Sequence, residues 1–503
     1  MKKNNFNPIV IVSKNSAFPG SNHSDCQCDC DTGDCACTVA PRTIIVDKSI
    51  LLGEGTYQRQ NTSSYQKLNG EFSIWFSPDH NPVVTNSDAD KVLFLFNGAR
   101  TVSSALVSMP KDKHEVACKV AIEFIKAGLL VQENQITTFN STHQTLTSWL
   151  HITDRCNLRC SYCYLPHVRE DMSLETGMAA IDATFRSAEI HQFKKVKFKY
   201  AGGEPLIRYE TVLALHKYAL SESQKLRINV EGVLLSNGTL LTKERAEEIH
   251  NLGMRLMISL DGLGHSHDVQ RPYAGGHESF MDVERGINIA LSEGITPNIS
   301  ITVSSKNADQ LADLVNWVLE YDLPFSLNFY RENELSMVDK DLSFIDQKII
   351  DGMKKAYKAI EERLPEKSLL ASIVDRANLS SPHQMTCGVG NNYLVFDCNG
   401  QVGKCQMLMK NVITNLTVLD PLGEIQKDKR GILNLSVEEK EGCKTCEWKY
   451  WCTGGCSLNT FRATGRYDVK SPNCHIYKAL YPEAMRLEGL RLLKYEYPKQ
   501  QLQ

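Results

Sequence analysis

The chain has 503 residues, of which 42% are hydrophobic and 23% are charged, and its formal net charge is −3 at pH 7. This length allows about three or four domains, and the small net charge gives no electrostatic basis for binding nucleic acid or an anionic membrane. No apolar run approaches the ~18 residues of a membrane-spanning helix, and we expect no export signal. The 17 cysteines therefore predict reduced thiols and metal binding in a cytoplasm rather than disulfides.

Residues 1–65 are expected to form a flexible, Cys-rich N-terminal extension, because they contain few periodic apolar residues and many Asn, Ser, Gly and Asp. Five cysteines lie within the twelve residues from Cys26 to Cys37. Composition favours an acidic, thiol-bearing tail. A metal-binding arm and a mimic of a Cys-rich peptide substrate are the alternatives.

Residues 66–142 have the pattern of a small domain with strands and helices. The predicted elements are strands at 72–76 and 82–85, helices at 89–96, 102–106 and 116–127, and a closing strand at 129–131. This order resembles the PqqD-like winged-helix domain of peptide-modifying enzymes. The resemblance implies that a leader peptide binds as an added strand. A DNA-binding winged helix is the alternative, but the third helix has only Lys119 against Glu115 and Glu123.

Residues 146–375 alternate strand-like and helix-like runs, which predicts an α/β barrel-like parallel sheet with a site at the C-terminal ends of its strands. The predicted strands are 149–153, 196–200, 227–230, 256–260, 298–303 and 325–329, with helices such as 243–252 and 308–319 between them.

Three cysteines, Cys156, Cys160 and Cys163, directly follow the first of these strands. Thiolates are the usual ligands of iron–sulfur clusters, and a cubane [4Fe–4S] cluster normally takes four of them. Three thiols therefore suggest a cubane with one iron open to a small molecule. A zinc site would need a fourth ligand, for which His151 and His167 are the local candidates. A chance trio of buried or disulfide-bonded cysteines is the other alternative.

This C-x3-C-x2-C motif resembles the signature of radical S-adenosylmethionine (radical SAM) enzymes. The resemblance implies a partial (β/α)6 TIM-like barrel, an open iron that chelates the amine and carboxylate of AdoMet, and reductive cleavage of AdoMet to a 5′-deoxyadenosyl radical. Residues after later strands match the family in order. The resemblance assigns cofactor binding to Tyr162, Gly202, Gly203, Glu204, Pro205, Ser236, Asn237, Ser259 and Arg271.

Each of these groups has a chemical reason for its implied role. Glycines let a backbone approach a ligand closely, and Glu204 can accept hydrogen bonds from the AdoMet ammonium. Ser236 and Asn237 offer polar side chains to the ribose hydroxyls. Ser259 and Arg271 would hold the carboxylate, which suits a guanidinium fork.

Eight further cysteines lie in residues 380–490, enough for two more cubanes, with two zinc ribbons as the alternative. Their spacing resembles the SPASM domain of radical SAM peptide maturases. The resemblance implies two auxiliary clusters, the first held by Cys387, Cys405 and Cys456 and the second by Cys443, Cys446, Cys452 and Cys474. Cys398 is extra to the pattern; it either completes the first cluster or, as we favour, belongs to the core.

Together the resemblances identify the chain as a radical SAM/SPASM peptide maturase of the sactipeptide/ranthipeptide type, with three [4Fe–4S] clusters and AdoMet as cofactors. The expected product is a thioether crosslink from a Cys sulfur to a peptide carbon. The alternatives are a carbon–carbon crosslink, formylglycine formation as in anaerobic sulfatase maturases, and a non-catalytic adaptor. Gln406 replaces the Asp that sulfatase maturases have at that position. The expected partners are a ribosomal precursor peptide, bound by residues 66–142, and an electron donor such as flavodoxin or ferredoxin; no nucleic acid and no membrane are expected.

Overall fold

A computed structural model describes residues 6–13, 55–61, 63–132, 144–337 and 339–501. The run from Cys26 to Cys37 lies outside these residues. None of the described helices combines the length and the apolar character that a membrane span requires.

The N-terminal part contains a four-stranded antiparallel sheet in the order β1-β5-β4-β3, followed by three helices. The elements are β1 (Val10–Val12), β2 (Tyr57–Arg59), β3 (Ser64–Lys67), β4 (Phe72–Ser77), β5 (His80–Asn86), α1 (Ser87–Leu93), α2 (Val102–Leu106), α3 (His114–Ala127) and β6 (Leu130–Gln132). Strand β6 pairs with β2 rather than with the larger sheet. The Thr101 hydroxyl caps α2 and a left-handed Gly128 ends α3, as the sequence predicts.

One expectation for this region is wrong. We expected residues 1–65 to form a flexible extension. However, Val10–Val12 pair with β5 as the edge strand of the sheet, and Ile11 is fully buried. A run of three β-branched residues is too short to predict a strand by periodicity alone, and its partner lies about seventy residues further along the chain.

The central part is an α/β fold with a parallel sheet, and it agrees with the expected six-fold alternation of strands and helices. Six neighbouring strands lie in sequence order from β7 to β12, and all five pairings are parallel. The elements are β7 (Thr145–Thr153), α4 (Leu174–Ile190), β8 (Lys195–Gly202), α5 (Tyr209–Leu226), β9 (Asn229–Ser236), α6 (Lys243–Asn251), β10 (Arg255–Ser259), α7 (His265–Asp268), α8 (Phe280–Ser292), β11 (Asn298–Val303), α9 (Leu311–Glu320), β12 (Phe325–Phe329) and α10 (Asp346–Glu362).

The C-terminal part continues this sheet instead of forming a separate one. Strand β13 (Tyr393–Phe396) adds to β7 in parallel, and β14 (Gln401–Gly403) and β15 (Thr414–Asn415) extend the sheet as antiparallel strands. The remaining helices are α11 (Pro421–Lys427), α12 (Lys449–Cys452), α13 (Ser457–Thr464) and α14 (Cys474–Gln501). Helix α14 packs on α10 and on β1, β4 and β5, and so joins the N-terminal sheet to the rest of the fold.

Candidate active site

The loop that follows β7 carries Cys156, Cys160 and Cys163 at the C-terminal edge of the parallel sheet. None of the three forms a disulfide. Burial, with smaller contributions from neighbouring thiols, raises the pKa of the Cys156 and Cys160 thiols to about 12. Such thiols ionise only if a strong positive charge replaces their protons, which a metal cluster supplies.

A second segment holds this loop in place through main-chain hydrogen bonds. The amide of Arg159 donates to the carbonyl of Pro272 at 2.8 Å, and the amide of Ser161 donates to the carbonyl of Gln270 at 2.9 Å. The loop therefore lies directly against the segment that contains Arg271. The Ser161 hydroxyl is buried and has no hydrogen-bond partner among the described residues, which leaves a polar atom for a bound group.

Gly202 and Gly203 let β8 approach the start of the cysteine loop. A Cβ on Gly202 would lie 2.3 Å from the carbonyl oxygen of Thr153, and one on Gly203 would lie 2.3 Å from that of Arg155. The amide of Gly203 donates to Thr153 at 2.7 Å. We expected these glycines to let the backbone approach a ligand closely. In the structure they let β8 approach the backbone of Thr153 and Arg155, just before Cys156.

Glu204 is fully buried and joins two strand ends. Its carboxylate accepts hydrogen bonds from the hydroxyl of Ser236 at 2.9 Å, from the amide of Asn237 at 2.7 Å and from the amide of Leu206 at 2.9 Å. Pro205 begins the short 3-10 helix that supplies the last of these donors. Burial raises the pKa of Glu204 to about 7, although the three donors act in the opposite direction.

Asn237 also reaches the cysteine loop. Its side-chain amide donates to the side-chain oxygen of Asn157 at 2.9 Å, and the same nitrogen lies 4.0 Å from the sulfur of Cys156. Ser236 and Asn237 were expected to meet ribose hydroxyls. In the structure their side chains connect Glu204 to the loop that carries the thiols.

Asp261 is a site residue to which the sequence analysis gave no role. Its carboxylate accepts the hydroxyl of Tyr162 at 2.5 Å and Nε of Arg271 at 2.6 Å. Nη1 of Arg271 lies 3.7 Å from the sulfur of Cys160, and its guanidinium lies over the ring of Tyr162 at 5.2 Å. Tyr162 and Arg271 are therefore brought together, while Ser259 ends β10 opposite Ser300 of β11. The sequence does indicate a role for Asp261, because the run Ser259-Leu260-Asp261-Gly262 places its carboxylate at the C-terminal end of β10.

The thiols assigned to the second auxiliary cluster surround one cavity. Cys443, Cys446, Cys452 and Cys474 all line it, together with aromatic side chains that include Trp448, Tyr477 and Tyr481. The structure thus brings together four thiols from residues 443–474.

The thiols assigned to the first auxiliary cluster also share one environment. Cys405 is buried in an apolar cluster against which Cys387 and Cys456 pack. Burial alone would raise the pKa of Cys456, but the charges of Arg331 and Arg376 bring it below its usual value. Cys398 lies elsewhere, with its sulfur 3.2 Å from the carbonyl oxygen of His151, which agrees with the favoured core role.

Within the described ranges, no three His, Cys, Asp or Glu side chains converge closely enough to hold a single metal ion. The ligands of a four-iron cubane lie on separate irons and stand further apart than those of one zinc ion.

Comparison with known proteins agrees with this site. Residues 150–318 match the model of the Radical SAM superfamily. These residues form a radical SAM domain. It includes the cysteine loop, Glu204 and Arg271.

Relatives and solved structures support the same fold. The chain is 31% identical over 173 residues to an uncharacterized protein from Methanocaldococcus jannaschii, covering 34% of this chain and 58% of that protein. It is 32% identical over 180 residues to a serine-type anaerobic sulfatase-maturating enzyme from Bacteroides thetaiotaomicron, covering 33% and 41%. The structure of native anSMEcpe with bound AdoMet and Cp18Cys peptide matches with a TM-score of 0.58 at 21% identity, covering 69% of this chain and 99% of that one. The chain thus spans less than two thirds of these two relatives.

Proposed function

We propose that this chain is a radical SAM maturase that binds AdoMet and three [4Fe–4S] clusters and crosslinks a ribosomally made precursor peptide. The observation that carries the proposal is the convergence of Cys156, Cys160 and Cys163 with Glu204 and Arg271 at the C-terminal edge of the parallel sheet. Three thiols leave one iron open, and the two charged side chains match the ammonium and the carboxylate of AdoMet.

The residues of the site have separable tasks. Asp261 orients Arg271 and Tyr162 beside Cys160, whereas Ser236 and Asn237 hold the carboxylate of Glu204. When bound, the reduced cluster and AdoMet supply the 5′-deoxyadenosyl radical, which takes a hydrogen atom from the substrate.

The proposed product is a thioether between a Cys sulfur and a peptide carbon. Its formation removes one hydrogen atom, which 5′-deoxyadenosine retains, one thiol proton, which solvent takes, and one electron, which an auxiliary cluster would accept. The set Cys387, Cys405 and Cys456 offers three thiols and so leaves a place for a substrate thiolate. We assign the other four cysteines, Cys443, Cys446, Cys452 and Cys474, to a fully ligated second auxiliary cluster.

Formylglycine formation is the second candidate, and similarity to a sulfatase-maturating enzyme favours it. Gln406 argues against it, because formylglycine formation uses a carboxylate at this position and Gln406 has an amide. The amide oxygen of Gln406 accepts a hydrogen bond from the hydroxyl of Tyr393 at 3.2 Å. A carbon–carbon crosslink, the first alternative from the sequence, is the close rival of the thioether.

A surface beside Cys156 fits the proposed acidic electron donor in the cytoplasm, a flavodoxin or ferredoxin. A cavity of about 500 Å³ is lined by Arg155, Arg159 and Arg169 against a single acidic residue, Asp171. Positive charge next to the cluster would steer an acidic protein to it.

Mass spectrometry of a small Cys-rich peptide encoded beside this gene tests the proposal. With AdoMet, reductant and reconstituted enzyme, each thioether removes two hydrogens and protects one Cys from iodoacetamide. Loss of two hydrogens with every Cys still alkylated would identify the carbon–carbon crosslink. A formylglycine would refute the thioether in favour of the second candidate. No 5′-deoxyadenosine under dithionite would refute the radical SAM assignment itself.

A further inference from the structure

Strand β1 is an unusual member of the N-terminal sheet. It forms one edge of that sheet, pairs only with β5 among the described strands, and is joined to β2 through residues 13–56. The other three strands of the sheet are consecutive. Strand β1 is thus a three-residue segment that adds to a sheet from a distant part of the chain.

The contacts to β1 are made mainly through its backbone. Val10, Ile11 and Val12 face Thr85, Val84 and Val83 in antiparallel register. Beyond the strand, the amide of Ser13 donates to the carbonyl of Pro82 at 3.1 Å, and the amide of Asn86 donates to the carbonyl of Ile9 at 3.2 Å. Main-chain pairing of this kind accepts any extended peptide that can present the same donors and acceptors.

Two polar side chains extend this backbone recognition beyond the strand. The side chain of Asn86 donates to the carbonyl of Asn7 at 2.8 Å and accepts the amide of Ile9 at 2.9 Å. The carboxylate of Asp88 accepts the amide of Asn7 at 3.0 Å. Side chains that form hydrogen bonds to the backbone of a bound segment are typical of peptide-binding grooves.

Apolar pockets on both faces set the preference for side chains. Ile11 is fully buried in the core that includes Ile74 and Val84, on the side of α14. Val10 and Val12 pack on the opposite side, against the core that includes α3. The groove between β5, α3 and α14 therefore holds an extended segment of consecutive β-branched residues whose side chains alternate between the two cores.

We propose that this groove is an exchangeable peptide-binding site and that residues 6–13 occupy it in cis, so that a precursor peptide must displace them. The identity of the displacing peptide rests on the proposed function; the exchange itself does not. A segment tethered by a flexible linker has an effective concentration in the millimolar range, so a free peptide of equal affinity at micromolar concentration competes poorly, and a precursor peptide must bind the groove more tightly to displace residues 6–13. The same tether contains the run from Cys26 to Cys37.

Cutting the tether in the folded full-length protein tests the proposal. A specific protease site is inserted between Gly20 and Ser21, and the cut protein is mixed with a fluorescent peptide of residues 1–20. We expect the cut protein to bind the peptide, measured by anisotropy, and the uncut protein to bind on the order of 100-fold more weakly. Size-exclusion chromatography and thermal melting establish that both forms are folded.

Two N-methylated peptides provide a matched control. Main-chain amides of a strand point alternately to its two sides, and the amide of Ser13 points to β5. The amide of Ile11, two residues earlier, therefore also points to β5, whereas the amide of Val12 points away from it. N-methylation at Ile11 should abolish binding to the cut protein, whereas N-methylation at Val12 should not.

Three results would overturn the proposal. The first is that the labelled peptide does not bind to the cut protein. The second is that the two methylated peptides bind equally. The third is that the cut protein unfolds and that excess peptide does not restore its melting transition. In the last case β1 is an integral strand. The assay contains neither AdoMet nor iron, so its outcome does not depend on the proposed function. Exchange in this assay, together with no crosslinked product in the mass-spectrometry test of the reconstituted enzyme, would refute the proposed function and leave the groove standing.

Discussion

Replacing Gly203 with alanine should disable the cysteine loop without touching a cysteine. The added Cβ would lie 2.3 Å from the carbonyl oxygen of Arg155, where ordinary contact begins near 3.4 Å, so strand β8 and the loop must separate by about 1 Å. The contacted atom belongs to the backbone and cannot rotate away. Cys156 is the next residue, and its sulfur must move with this backbone.

The cost can be estimated from the contacts that break. The amide of Gly203 donates to Thr153 at 2.7 Å, and the amide of Glu204 donates to Arg155 at 2.8 Å. A protein hydrogen bond contributes about 0.5–1.5 kcal/mol, so losing both costs about 1–3 kcal/mol. The effect on chemistry should be larger, because a displacement of about 1 Å in a catalytic site can cost about 100-fold in rate.

The assay is 5′-deoxyadenosine production under dithionite after anaerobic reconstitution, together with iron content and the melting temperature. We expect AdoMet cleavage to fall about 100-fold in Gly203→Ala, with a moderate loss of stability. Gly98→Ala is the matched control, since a Cβ at Gly98 meets no atom within 4 Å. Cleavage at the wild-type rate by Gly203→Ala would refute the argument that these glycines hold the loop in place.

Four more predictions concern this site and the C-terminal thiols. Asp261→Asn should weaken AdoMet binding, measured by equilibrium dialysis, because breaking a buried ion pair costs about 3–5 kcal/mol and leaves Arg271 misaligned; unchanged binding would contradict this. AdoMet affinity should rise as the pH rises through about 7, because the carboxyl of Glu204 must ionise to accept an ammonium, and Glu204→Gln should remove this dependence. For the apoprotein the sign is opposite: the raised pKa of Glu204 contributes stability below its usual value of 4.5, which is lost as the pH rises through about 7. Iron analysis should find about twelve irons per chain, falling to about eight in a Cys443→Ala, Cys446→Ala double variant; zinc in their place would refute the second auxiliary cluster.

The sequence predicts best the elements whose signal is local. Strands β11 and β12 have the predicted bounds, because each alternates apolar with polar residues and begins directly after a proline, Pro297 or Pro324. Strand β9 was placed too early, at 227–230, although it runs from Asn229 to Ser236. Glu231 and Gly232 interrupt its apolar pattern. The carboxylate of Glu231 is paired with Lys195, Lys197 and Arg255 of the neighbouring strands, which no local window can reveal.

The same division applies to the site. Motif order predicts that Glu204, Asn237 and Arg271 lie near the cysteine loop, because the ends of successive parallel strands meet at one edge. It does not predict which of them bind each other. The hydrogen bonds from Ser236 to Glu204 and from Arg271 to Asp261 depend on the side-chain directions of different loops.

The charge around Lys440 bears on whether the two C-terminal thiol sets hold metal. Its side chain is 1% exposed, its ammonium donates to the carbonyl of Thr453 at 2.8 Å, and burial lowers its pKa. A buried ammonium is costly unless negative charge faces it. The groups that face Lys440 and raise its pKa are thiols from both sets: Cys443, Cys387, Cys452 and Cys456. Neutral thiols would leave this cation without a counter-charge, whereas thiolates bound to clusters would supply one to it from two sides. The negative charge that a buried Lys440 ammonium requires therefore supports the proposal that both sets hold metal-bound thiolates.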